Sequence, residues 1–150
     1  MVTSRKRWSK QSALCENFYF SHVEILTTHG VQIAVESEFQ PGHSFPHRNQ
    51  YLHVYTIHIT NYNEYSIQLI SRHWDITEAD GTKKVVDGDG VVGQQPVIEH
   101  NAIHSYSSFS VLAFPIGMMS GFYNMVRMDT GEPFTVEIPE FKLVMPDVLN

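Results

Sequence analysis

The chain of 150 residues has a single cysteine, Cys15. An intramolecular disulfide is therefore impossible, and a zinc site built on several cysteines is excluded. A lone thiol fits a reducing compartment, so the expected location is cytoplasmic. Long apolar runs are missing too. No stretch approaches the ~20 residues that a spanning helix needs. Trp8-Ser9-Lys10-Gln11-Ser12 is mostly polar, so the amino end lacks the apolar core of a signal peptide. A soluble protein is expected. Positive charge is scarce, with 10 Lys and Arg against 16 Asp and Glu and a formal net charge of −6. Nucleic-acid and anionic-membrane surfaces need clustered positive charge, so neither is expected as a partner. Arg5-Lys6-Arg7 with Lys10 is the local exception, and residues 1–20 read as a basic, flexible tail.

What is present points to strands. Hydrophobic residues make up 42% and aromatics 12% of the chain, enough for one domain with a real core, here residues 21–150. Its β-branched runs favour an all-β fold. Extended segments are expected at 22–26 and 31–39, with a turn at His29-Gly30. The clearest strand is 51–62, where Tyr55, Ile57 and Ile59 alternate with Thr56, His58 and Thr60. The segment 65–76 switches its apolar parity between Leu69 and Ile70, which predicts a bulge near Ser71. Asp80-Gly81 marks a hairpin. Further strands are expected at 83–86, 96–98, 103–112, 118–128 and 133–138, with Pro139 interrupting the last one and placing its far end at an edge. The polar middle of 103–112 suits an edge or an outer face. The count of about seven strands describes an antiparallel two-sheet sandwich, immunoglobulin-like or fibronectin type III-like, with Trp74 buried.

Gly88, Gly90 and Gly93 spell G-x-G-x-x-G within Asp87-Gly88-Asp89-Gly90-Val91-Val92-Gly93-Gln94-Gln95-Pro96. A dinucleotide-binding fold needs a helix after this pattern. Val91, Val92 and Pro96 argue for extended chain instead, so the segment reads as a glycine loop between strands.

Several stretches together resemble the ApaG family. They are Ser71-Arg72-His73-Trp74-Asp75-Ile76-Thr77, the glycine loop through Pro96, Gly117-Met118-Met119-Ser120-Gly121-Phe122-Tyr123-Asn124-Met125, and Glu137-Ile138-Pro139-Glu140-Phe141-Lys142-Leu143. The resemblance spans about Val31 to Val148 and implies a fibronectin type III-like sandwich. Bacterial members carry the label of a cobalt and magnesium efflux protein, and eukaryotic relatives hold the domain within adaptor-like proteins. For a chain without a spanning segment, this implies an indirect role in divalent-cation homeostasis. A second implication is pyrophosphate or nucleotide binding by the glycine loop.

The candidate residues divide accordingly. Backbone N–H groups around Gly88, Gly90 and Gly93, helped by Arg72, Lys83 or Lys84, could cradle a phosphate. Asp87 and Asp89 oppose that, which favours a structural loop. The nine histidines show no converging ligand spacing, and Asp75, Asp87 and Asp89 form the only local carboxylate cluster, so no metal or other cofactor is expected. No nucleophile elbow or acid–base pair is visible, and Cys15 sits beside Glu16, so no catalytic residue is assigned. Phe122 and Val126, on the outward parity of their strand, mark a possible protein-interaction surface. The resulting expectation is a non-enzymatic binding domain for an unidentified protein partner, with nucleotide binding as the alternative. An enzyme acting on dinucleoside polyphosphates ranks third.

Overall fold

A computed structural model describes residues 22–146. The expected tail at 1–20, with its basic patch and Cys15, lies outside the described residues. Among the described residues nine strands follow one another: β1 (His22–Thr28), β2 (Val31–Phe39), β3 (Tyr51–Asn61), β4 (Ile67–Glu78), β5 (Lys83–Asp89), β6 (Val97–Ile98), β7 (Ile103–Leu112), β8 (Ile116–Arg127) and β9 (Pro133–Val144). One antiparallel sheet has the order β1-β2-β3-β7, and the second has the order β5-β4-β8-β9, with β6 added to β4. The expected all-β sandwich is the fold found. Each of the nine segments expected to be extended forms a strand, two more than the rough count of seven, and β6 is only two residues long.

Alternation builds the core. Val31, Ile33 and Val35 of β2 and Tyr55, Ile57 and Ile59 of β3 point inward from the first sheet. Ile67, Leu69, Trp74 and Ile76 of β4 and Met119, Tyr123 and Met125 of β8 answer from the second. Tyr55, Trp74 and Phe141 pack mutually at centroid distances of 5.4, 5.8 and 5.9 Å, locking the sheets together.

Two irregularities keep apolar residues on the inner face. The register of β4 against β8 shifts between Leu69 and Ser71, where the parity switch predicts a bulge. A second shift lies opposite Met119–Gly121, where β9 takes one extra residue at Pro139-Glu140. Pro139 therefore does not end its strand, as the sequence suggests. It occupies a bulge on an edge strand, where a missing N–H costs no ladder bond, and β9 runs on to Val144.

The sandwich has two unlike seams. On one side β9 meets β1 and β2, with Glu137 N–H donating to Thr28 Oγ1 at 3.4 Å and Ser37 Oγ donating to the Lys142 carbonyl at 3.2 Å. On the other side β7 and β5 stay apart, and the glycine segment sits between them.

Candidate functional site

The three glycines of the motif have three different jobs. Gly88 lies within β5, directly opposite Arg72 of β4. A Cβ there would lie 2.8 Å from the guanidinium carbon and both terminal nitrogens of Arg72. Gly90 has φ +61°, and a Cβ would lie 2.2 Å from the Gln94 carbonyl oxygen. Gly93 has φ +72° with open space around it, so its requirement is conformational only. Val91 and Gln94 exchange two backbone hydrogen bonds, of 2.8 and 3.0 Å, around Val92 and Gly93. Positive φ at both central residues makes this a type I′ turn. Val92 is an outlier there, β-branched with φ +48° and 65% exposed.

The loop hangs from the β4 bulge. Gly90 N–H and Gln95 Nε2 both donate to the Ile70 carbonyl, at 2.8 and 3.0 Å. Buried Val91 anchors it. Arg72 reaches in from β4, its Nη1 donating to the carbonyls of Asp89 (3.1 Å) and Gly90 (2.8 Å). The loop thus turns carbonyls, not amides, toward the guanidinium. Its Gly90, Val91 and Gln94 amides are all spent on backbone bonds. The expected helper of a phosphate cradle is therefore a brace for the loop in this state.

Arg72 is also the cation of a cleft. A cavity of about 360 Å³ opens in the seam between the loop tip (Val92, Gly93) and β7 (Tyr106 to Phe109), with Arg72, Tyr55 and Trp74 lining its floor. Among the described residues no carboxylate forms an ion pair with Arg72. The Tyr106 and Tyr123 hydroxyls bond to each other across the sheets. Burial pushes both phenols well up, so both stay neutral. Sequence reasoning missed Tyr106 to Phe109 as site residues. Their one signal was the polar middle of β7, which marks a free edge.

Asp87 does not face this cleft. Strand alternation puts it on the outer face, where its carboxylate meets His73 Nδ1 at 2.6 Å while Asp75 lies 3.3 Å from Nε2. Both carboxylates raise the His73 pKa, the hydrogen bond to Asp87 most of all. Phe122 stacks on that imidazole at 4.7 Å. Phe122 and Val126 do lie on the outer face, but both are half-buried.

The outer face of the first sheet holds a second array. His58 Nδ1 lies 2.6 Å from Ser105 Oγ, and its Nε2 is 3.9 Å from a Glu36 carboxylate oxygen. The order Ser–His–Glu resembles a hydrolytic triad, but 3.9 Å is not a hydrogen bond and the face is a flat sheet. Among the described residues no three His, Cys, Asp or Glu side chains converge as metal ligands.

Geometry defines the class as a two-sheet antiparallel β-sandwich with a glycine-turned loop beside an open seam. The chain belongs to the ApaG domain family, whose model matches residues 41–127. It is 44% identical to Protein ApaG of Pseudomonas paraeruginosa over 124 residues, covering 83% of this chain and 98% of that one. Protein ApaG of Anaeromyxobacter dehalogenans is 46% identical over 123 residues, 82% of this chain and 96% of the relative. A crystal structure described as an ApaA protein from Bordetella pertussis superposes with a TM-score of 0.75 at 41% identity, covering 77% of this chain and 94% of that one.

Proposed function

We propose that this ApaG-domain protein is a non-enzymatic binding domain that recognises another protein in the cytoplasm, with an indirect link to cobalt and magnesium homeostasis. The observation that supports this reading is an apolar corner on the first sheet. Leu52 pairs with Val111 and Val54 with Phe109, so all four side chains share the outer face. Phe109 is 63% and Val111 45% exposed. An aromatic ringed by aliphatics is the sort of patch a partner covers. The outer face around Phe122 and Val126 is the lesser candidate, since His73 already covers part of Phe122. Any effect on cation tolerance would then run through the partner.

Affinity capture on the immobilised full chain, compared with Phe109→Glu at equal melting temperature, tests the reading. A partner held by the wild type and lost by the variant is expected. Captured proteins that ignore the substitution would sink it.

Nucleotide binding stands second, favoured by the Arg72 guanidinium and Ser108 lining the same cleft. Calorimetry with ATP, with and without magnesium, tests it. A micromolar Kd lost on Arg72→Gln would reverse the order of the two readings.

A further inference from the structure

Among the described residues the sandwich has four edge strands, and three are guarded. β1 carries Glu24, β5 carries Lys83, Lys84, Asp87 and Asp89, and β9 carries Pro133, Glu137, Pro139, Glu140 and Lys142. Charges and prolines on an edge deter the addition of a further strand. β7 holds ten residues with no proline and no Asp, Glu, Lys or Arg. Among the described residues its outer edge pairs with nothing.

That edge offers main-chain groups at the cleft. Asn61 N–H donates to the Ala102 carbonyl, while Leu52 and Tyr62 on the other parity of β3 bond toward β2. Odd residues of β3 therefore face β7, and their partners are its even residues. The N–H and C=O groups of Ser105, Ser107 and Phe109 consequently point away from β3, toward the open seam. Ser107 and Phe109 line the same cleft as Arg72. Nη1 of Arg72 serves the loop, and neither Nη2 nor Nε has a hydrogen-bond partner among the described residues.

We propose that β7 accepts an extended peptide segment of a partner protein as an added strand, with an acidic side chain of that segment held by Arg72 in the cleft. This rests on the reading of the domain as a protein-binding module and names the class of partner. Strand addition supplies affinity through the main chain, and alternate side chains supply specificity. In an added strand every second side chain would enter the cleft, and the others would lie beside Phe109 on the outer face. A guanidinium with unused N–H groups matches a carboxylate fork. The peptide is favoured over a nucleotide on two grounds: the loop spends its Gly90, Val91 and Gln94 amides internally, and the net charge of −6 repels a polyanion more than a single carboxylate.

The test uses the full chain and two libraries of acetylated, amidated octapeptides, random except for a fixed central Glu in one and Gln in the other. Enrichment should favour the Glu library by about tenfold or more, the scale of one charge-assisted contact. Arg72→Gln should erase that preference. In case Arg72→Gln fails to fold, the best peptide is also N-methylated at alternate residues in both phases. One phase should abolish binding to the wild type and the other spare it. Equal enrichment of both libraries, or indifference to both methylation phases, overturns the proposal. So does ATP binding without peptide enrichment. If peptides fail while Phe109-dependent capture of a protein persists, the strand-addition proposal falls and the binding-domain reading stands.

Discussion

Gly88 and Arg72 face each other across β5 and β4, and the missing Cβ of one is the space filled by the guanidinium of the other. The first glycine of the motif is therefore an accommodation for an arginine. Gly88→Ala should displace the guanidinium from the loop carbonyls while the backbone stays unstrained. The expected loss of stability is below about 1 kcal/mol, because the crowded atoms end a flexible side chain. Binding by the cleft should suffer far more than melting temperature. A large fall in melting temperature with binding intact would contradict this.

Gly90→Ala should behave in the opposite way. Its φ is +61° and the nearest obstacle is the backbone oxygen of Gln94. Left-handed strain alone is worth roughly 1–2 kcal/mol, and the clash adds to it. Chemical denaturation should show a loss of about 2 kcal/mol or more, with an unchanged m-value.

Stability should fall as pH drops from 6.5 toward 4. His53 is buried to 1% exposure with no partner for Nε2 among the described residues, and burial lowers its pKa from 6.5 to about 4. In that window the unfolded chain binds the proton and the folded chain does not, so stability rises with pH there. His53→Phe should flatten this slope. His73 has the opposite sign. Its raised pKa gives a contribution that is full below the unfolded value and lost as pH rises through the folded one. Proton NMR should place the His73 midpoint above that of a free imidazole, and Asp87→Asn should lower it.

The Ser105–His58–Glu36 array should be catalytically inert. Hydrolysis of p-nitrophenyl acetate should be the same for the wild type and Ser105→Ala. A fluorophosphonate probe that labels Ser105 selectively would make the protein an enzyme.

Local chemistry was readable in the sequence, and long-range order was not. Strand positions, the bulge before Ser71 and the inward Trp74 all follow from side-chain alternation, which acts over a few residues. Once the bulge is placed, Arg72 shares the parity of Trp74 and Ile76 and points inward as well. The same alternation puts Phe122 on the outer face. That His73 stacks on it depends on the register between β4 and β8, which no single strand encodes. The open seam depends on β7 joining β3 while β9 swings over to β1 and β2. The contacts of the glycine motif are hidden for a related reason. Its first member answers to Arg72, sixteen residues away in sequence, and its second to Gln94.

An edge without charge or proline also governs how the protein behaves in bulk. An unguarded edge of this kind is open to pairing with β7 of a second copy. Aggregation in concentrated samples should start along this strand. A single lysine at Ser105 or Ser107 should then delay turbidity on storage more than the same substitution at the guarded edges of β1, β5 or β9.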